Sequence, residues 1–398
     1  MMNNLSDRIS NLAESQTIAM AQKSREMKEK GIDVISLSLG EPDFDTPDFI
    51  KEAAKKAIDD NYTHYPPVPG YLELRKAIAQ KLKRDNNLEY GPENIVVSTG
   101  AKQSLMNVVL SMVNPGDEVI LPAPYWVSYK AMVELAEGVP VVIPTSVDAD
   151  FKISADDLKK YIKRKTKLII FSSPCNPSGS VYSKEELKQI ADVIKAKDDL
   201  FVISDEIYEL INFSGQHESL AQFEAIKDQV ITVNGVSKGF SMTGWRIGYI
   251  AAPEWIAKAC TKIQGQFTSG ASTIAQMAAK AAVEADPSVV VPMKEKFKER
   301  RDLMLSLLYE IPNFQTHVPE GAFYLFPNVS RYFGKAYGEY EIENDTDLCF
   351  YLLQEANVAV VPGSAFGSPE CLRISYATSE DILREAMNRI KTALDKLA

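Results

Sequence analysis

The chain has 398 residues, 45% of them hydrophobic and 25% charged, which is the composition of a globular protein with room for more than one core. Its net charge of −10 argues against a nucleic-acid partner, because phosphate binding needs a basic face, and leaves any anionic small molecule to a few local cations. Four scattered cysteines (Cys175, Cys260, Cys349, Cys371) form no C-x-x-C pair, and His64, His217 and His317 lie far apart, so neither a disulfide framework nor a metal site is expected. The N-terminus MMNNLSDRIS has no apolar core and no apolar run reaches membrane length, so the expected location is cytoplasmic, without membrane contact.

In chain order, residues 1–30 read as a polar arm or short helix lying on something else. The apolar segment ending at Gly40 leads into the loop GEPDFDTP. Thr46 then stands as the cap of a helix with Pro47 at its first position and Ile50, Ala53, Ala54, Ala57 and Ile58 on one face. Three prolines exclude regular structure from Tyr65 to Gly70, and helical spacing returns from Tyr71 to Lys83.

From there β-rich runs alternate with helical patterns. The runs are Ile95 to Val97, Val119 to Leu121, Val139 to Ile143, Leu168 to Phe171, Leu200 to Ile203, Val230 to Val233 and Ile247 to Ala251. The clearest helix spans Glu185 to Lys197, where Ser183 and Glu186 make a capping box. This alternation predicts an α/β fold: a large domain with a mostly parallel sheet over residues 46–285. Asp286-Pro287 breaks the pattern. A charge-rich helix from Met293 to Glu310 follows, then short strands at Ala322 to Phe326, Val358 to Val361 and Leu372 to Tyr376. The chain ends in a helix on Ile382, Leu383, Ala386, Ile390 and Leu394. These residues, 286–398, predict a smaller α+β domain, which residues 1–45 join in part.

In a parallel α/β sheet, ligands bind beyond the carboxyl ends of the strands. Here those ends carry Gly100-Ala101-Lys102 opening a helix, Asn176 in SSPCNPSG, Asp205 and Tyr208 in SDEIY, and Lys238 in GVSKG. Singly, each has a structural explanation: a turn glycine, a capping amide, a surface acid. Together they converge on one crevice.

Two chemistries fit the stretch GVSKGFSMTGWRIG, Gly235 to Gly248. Gly235 to Gly239 matches the G-x-S-x-G elbow of serine hydrolases, with Ser237, Asp302 and His317 in the required order. That reading leaves Lys238, Asp205, Asn176 and Arg246 without roles. The alternative makes Lys238 an amine nucleophile forming an imine, with Arg246 as the cation that lowers its proton affinity. Asp205 then serves as the carboxylate that a pyridine-type electron sink needs at its ring nitrogen.

The motifs S-K-x₃-M-x-G-W-R-x-G, SPxNPxG and SDEIY, in this order, resemble those of the class I aminotransferases, fold-type I pyridoxal-phosphate enzymes of the aspartate aminotransferase family. The resemblance runs from about Leu37 to the C-terminus. It implies that Lys238 holds pyridoxal 5'-phosphate as an internal aldimine and shuttles a proton in a ping-pong transamination. It implies also that Asp205 pairs with the pyridinium nitrogen, Asn176 and Tyr208 bond the phenolic oxygen, and Trp126 stacks on the ring. The phosphate would be held by Gly100, Ala101, Lys102, Ser237 and Arg246, and by Tyr65 of a second subunit, which implies a homodimer with shared sites. Arg373 in LRISYA would grip the substrate α-carboxylate, with Gly40, Trp126 and Asn176 facing the substrate. Lys102, in Gly-x-Lys-Gln, resembles the lysine of a branch that binds a distal carboxylate. The implied substrates are aspartate and 2-oxoglutarate, with aromatic amino acids, alanine or prephenate, or another α-carbon reaction such as elimination, as alternatives.

Overall fold

A computed structural model of the chain describes residues 5–10, 12 and 16–398. The expectation of an arm at residues 1–4, 11 and 13–15 lies outside them. The large sheet has seven strands: β1 (Ile95–Thr99), β2 (Glu118–Pro122), β3 (Val139–Ile143), β4 (Thr166–Ser172), β5 (Phe201–Asp205), β6 (Val230–Gly235) and β7 (Ile247–Ala251). Their spatial order is β1-β7-β6-β5-β4-β2-β3, and every strand runs parallel except β7. The α/β architecture read from the alternation of elements is the one observed.

The near-continuous apolar runs are explained by burial on both faces. Alternate residues point to opposite layers. Val97, Ile169 and Val202 pack with Ile50, Leu74 and Leu187 of helices on one side. Val96, Ile170 and Ile203 pack with Leu105, Val133 and Ile256 on the other. Each such fully buried aliphatic chain contributes ~1.5–3 kcal/mol relative to exposure, so the sheet is a stiff floor for whatever its end carries.

The second body collects short strands and long helices. Val361–Pro362, Leu372–Ser375 and Tyr324–Leu325 form an antiparallel sheet. The apolar run Val358 to Val361 is not one strand. Val358 and Ala359 pair in parallel with Ile35 and Ser36, whereas Val361 turns to pair with Arg373. The helices Gln16–Glu29, Val291–Tyr309, Asp345–Glu355 and Glu380–Leu394 close over these strands, with Met20, Met27, Phe297, Leu348 and Leu383 in one cluster. The helix Asp345–Glu355 was not foreseen. Its signal is Asn344, whose Oδ1 accepts from the N–H groups of Thr346 (2.9 Å) and Asp347 (3.1 Å).

Other local expectations need correction. The Ser183–Glu186 capping box is present. Thr46, however, caps nothing: its hydroxyl donates to the Ser241 carbonyl at 2.7 Å and accepts from the Trp245 indole at 3.0 Å, a tertiary pairing that outcompetes the local one. Ile58 and Ile382, placed on buried faces, are 54% and 42% exposed, because each lies at the rim of its helical stripe.

Candidate active site

The one antiparallel strand decides the geometry. Because β7 enters the sheet at the end where β1 and β6 leave it, Ile247 lies opposite Thr99 and Gly248 opposite Gly235. Arg246, immediately before β7, therefore reaches Gly100 without any long connection. The approach is close: a Cβ on Gly100 would stand 2.3 Å from Arg246 Nη2, and one on Gly248 would stand 2.2 Å from the Ala101 nitrogen. Gly100 also has φ +82°, a conformation that costs glycine little. The helix Ala101–Met112 starts there; Gln103 N–H and Ser104 N–H bond the Gly100 carbonyl, and the N–H groups of Ala101 and Lys102 ahead of them have no helical acceptor.

Beyond these strand ends lies a cavity of about 350 Å³. Gly40, Ala101, Lys102, Trp126, Asn176, Asp205, Tyr208, Ser237, Lys238, Arg246 and Arg373 all line it. Gly100 adjoins it through Arg246. Tyr65 does not line it; that ring is 96% exposed.

Lys238 donates to the Gly40 carbonyl at 2.6 Å. Burial lowers its pKa to about 8, and the Arg373 and Arg246 charges push the same way against Glu41 and Asp205. A measurable fraction of neutral amine at neutral pH makes it both a nucleophile and a proton acceptor. Asp205 is pushed the other way. Burial raises its carboxyl to about 6, opposed by the Tyr129 hydroxyl at 2.6 Å and the Ile207 N–H at 3.2 Å.

Arg373 is enclosed. Its guanidinium carbon lies 4.7 Å from the Tyr324 ring centroid and 4.9 Å from that of Phe366. Nη1 donates to Asn176 Oδ1 at 3.0 Å and Nη2 to the Ser38 carbonyl at 2.5 Å, while Nε has no partner among the described residues. Lys102 lies 4.9 Å above the Trp126 ring. Burial and then Arg246 lower its pKa.

Of the residues in or beside the cavity that escaped the sequence reading, Tyr129 and Thr17 line it and Tyr324 stands behind Tyr208. Tyr129, the hydrogen-bond partner of Asp205, stands three residues after Trp126 in PYWVSY, where helical spacing could have placed it. Tyr324 bonds Tyr208, hydroxyl to hydroxyl, at 2.6 Å, and no local signal marks it. Thr17 lines the cavity from the N-terminal helix with a buried hydroxyl that lacks a partner among the described residues.

The serine-hydrolase reading fails on position. His317 lies 3.3 Å from Ser180 Oγ and edge-on to Phe151, Asp302 pairs with Arg301, and neither lines the cavity with Ser237. A lysine of lowered proton affinity, a buried carboxylate and an arginine beside a glycine cradle share the cavity. The family model for aminotransferases of class I and II matches residues 32–390. The chain belongs to that family.

Among its relatives, a bifunctional aspartate aminotransferase and glutamate/aspartate-prephenate aminotransferase of Petunia hybrida is 48% identical, over 98% of this chain and 82% of its own length. A probable aspartate/prephenate aminotransferase of Rickettsia bellii is 47% identical over the full length of both. The aspartate aminotransferase of Rhizobium meliloti superposes with a TM-score of 0.96 at 41% identity, covering 99% of this chain and all of that one. That of Thermus thermophilus, solved with maleate, gives 0.92 at 38% identity, covering 98% and 100%.

The protein is thus a pyridoxal-phosphate-dependent aminotransferase of fold type I. The residues present fit that cofactor. A cradle that a Cβ would fill sits beside an arginine and free helix N–H groups, as a phosphate requires. A buried acid faces the same space as the amine.

Proposed function

We propose that the enzyme transfers the amino group of aspartate to 2-oxoglutarate. The observation that carries this reading is the charge of the cavity. Lys102, Lys238, Arg246 and Arg373 line it against the single carboxylate of Asp205, in a chain whose net charge is −10. Neither Lys102, Arg246 nor Arg373 has an ion-pair partner among the described residues. Arg373 is buried, and an unpaired buried cation is costly unless a ligand answers it, while Lys102 and Arg246 are exposed to whatever enters the cavity; the anions that answer the set are a cofactor phosphate and two substrate carboxylates.

Bound pyridoxal phosphate supplies the electron sink. The chain's own residues do the rest. Arg246, Ser237 and the N–H groups of Ala101 and Lys102 hold the phosphate; Trp126 covers the ring; Asp205 keeps the ring nitrogen protonated; Asn176 and Tyr208 serve the phenolic oxygen. Lys238 Nζ accepts and returns the proton at the substrate α-carbon, for which its lowered pKa suits it. Arg373, packed against the rings of Tyr324 and Phe366, receives the α-carboxylate beside Gly40. Lys102 receives the distal carboxylate. Both half-reactions use one cavity, so the kinetics are ping-pong.

Prephenate is a second acceptor consistent with this set, since it too is a 2-oxo acid with a further carboxylate, and the Petunia and Rickettsia relatives carry it in their names. The body of the site forms without Tyr65, whose exposed ring supports a homodimer in which it reaches the partner's phosphate. Four free, buried cysteines support a reducing location such as the cytoplasm. Conversion of the cofactor absorbance by a panel of amino acids tests the substrate assignment: aspartate and glutamate are expected to act at the lowest concentrations, and alanine doing so would overturn it. Sedimentation of the holoenzyme tests the dimer.

A further inference from the structure

The segment Asp205 to Glu209 has two sides. Asp205 and Tyr208 turn into the cavity. Glu206 and Glu209 turn away into a closed polar cluster. Glu206 Oε1 accepts from Ser204 Oγ at 2.9 Å and Ser219 Oγ at 2.7 Å, and Oε2 lies 3.0 Å from His217 Nε2. Glu209 pairs with the Lys81 ammonium through Oε1 and accepts from Asn86 Nδ2 at 2.8 Å through Oε2. Both carboxylates are buried, Glu206 at 1% exposure and Glu209 at 8%. The backbone between them is tied as well: Glu206 N donates to the Val233 carbonyl at 2.8 Å and Glu209 N to the Glu206 carbonyl at 2.9 Å.

The ligand atoms of Glu206, Glu209 and His217 lie within 4.8 Å of one another, a spacing a metal could use. Lys81 already stands as a cation against Glu209, however, so the cluster is an ion-pair network. Its charges are unequal. Two buried carboxylates face one lysine, which also lies 3.8 Å from Asp85, itself answered by Arg84 at 2.6 Å. Among the described residues, the other group of the cluster able to carry positive charge is His217, whose Nε2 faces Glu206 and whose buried Nδ1 has no partner there.

We propose that protonated His217 is a positioning residue for the cofactor: through Glu206 it pins residues 205–209, and so holds the Asp205 carboxylate and the Tyr208 hydroxyl in place. The inference rests on the assignment of those two residues to pyridoxal phosphate made above. Burial alone disfavours the imidazolium, but Glu206 and then Glu209 outweigh both burial and the repulsion of Lys81, so the His217 pKa is raised. A histidine so raised stabilises the fold fully below its unfolded value of about 6.5, and that contribution is lost as pH rises through the folded value.

The test is a titration of apoenzyme with pyridoxal phosphate, together with apoenzyme melting as a function of pH, for the native chain, His217→Gln, Ser219→Ala and Asp205→Asn. His217→Gln keeps a donor for Glu206 and removes the charge. It is expected to weaken cofactor binding by about fivefold or more below pH ~6.5, with a melting deficit that shrinks as pH rises. Ser219→Ala removes one bond to Glu206 without altering charge, and is expected to weaken binding by about two- to threefold even if His217→Gln does not fold. Native affinity in both variants, with Asp205→Asn impaired, overturns the positioning role while leaving the site assignment intact. Native affinity in Asp205→Asn overturns the assignment itself. A His217→Gln melting deficit independent of pH overturns the imidazolium.

Discussion

Two groups of charges lie on either side of one short segment, and they are built on opposite plans. In the cluster of Lys81, Glu206, Glu209 and His217, every carboxylate has a cation or hydroxyl donors within hydrogen-bond reach. In the cavity, four cations face a single lining acid whose donors among the described residues are Tyr129 and the Ile207 N–H. The residue types are the same. What differs is whether the protein completes the pairing itself. A completed network holds the fold; an incomplete one holds a ligand, and its cost is carried by the apoenzyme.

The largest expected effect separates chemistry from both. Lys238→Ala removes the amine that accepts the proton, so turnover is expected to fall by roughly 10²–10⁴-fold or more, measured in a single half-reaction with aspartate. Near-native turnover would remove lysine from the mechanism.

The contrast itself is broken by exchanging a cation for an apolar chain on each side. Lys81→Met leaves the buried Glu209 with Asn86 as its one hydrogen-bond donor among the described residues and is expected to destabilise the protein by ~3–5 kcal/mol, read as a lowered denaturation midpoint. Lys102→Met removes an unpaired cation and is expected to leave apoenzyme stability unchanged or higher. Equal losses in both would show that the cavity charges are structural after all.

Asp205→Asn sharpens the comparison through pH. The folded carboxyl titrates near 6, above its value of 3.8 in the unfolded chain. A raised acid contributes stability only below the unfolded value, and that contribution is lost as pH rises from about 4 to about 6. Above pH ~6 the native apoenzyme therefore bears the cost of a buried anion, about 2–3 kcal/mol, which asparagine relieves. The variant is expected to melt higher than the native apoenzyme at pH ~8, to match it near pH ~4, and to bind pyridoxal phosphate more weakly at both.

The smallest effect concerns selectivity. Lys102→Ala deletes a charge-assisted bond of about 1.5–3 kcal/mol, so KM for aspartate is expected to rise about ten- to hundredfold while that for alanine changes little. Equal losses on both substrates would confine Lys102 to the phosphate.

Much of this was legible in the chain before any contact was known. Short β-rich apolar runs between helical patterns point to a parallel sheet covered on both faces, and a parallel sheet places its ligands at the carboxyl ends of its strands. Asn176, Asp205 and Lys238 follow from that rule because each lies at the carboxyl end of a strand or in the short loop after it. Local competition defeated the reading of Thr46, whose hydroxyl is taken by Ser241 and Trp245 from almost 200 residues away. The split of Val358 to Val361 between two sheets was hidden for the same reason: pairing partners are a tertiary property.

The sequence by itself determined the fold class and the reactive lysine, because both depend on periodicity and on residues adjacent to a strand end. Only the tertiary structure decided which charges are answered. Glu206 and Asp205 are neighbours in the chain, yet one meets His217 and two serines while the other faces an open cavity. Arg373 reaches Asn176 across 197 residues. Pairing depends on distances between side chains that sequence separation does not encode, and in this protein pairing is what distinguishes a charge that supports the fold from one that awaits a substrate.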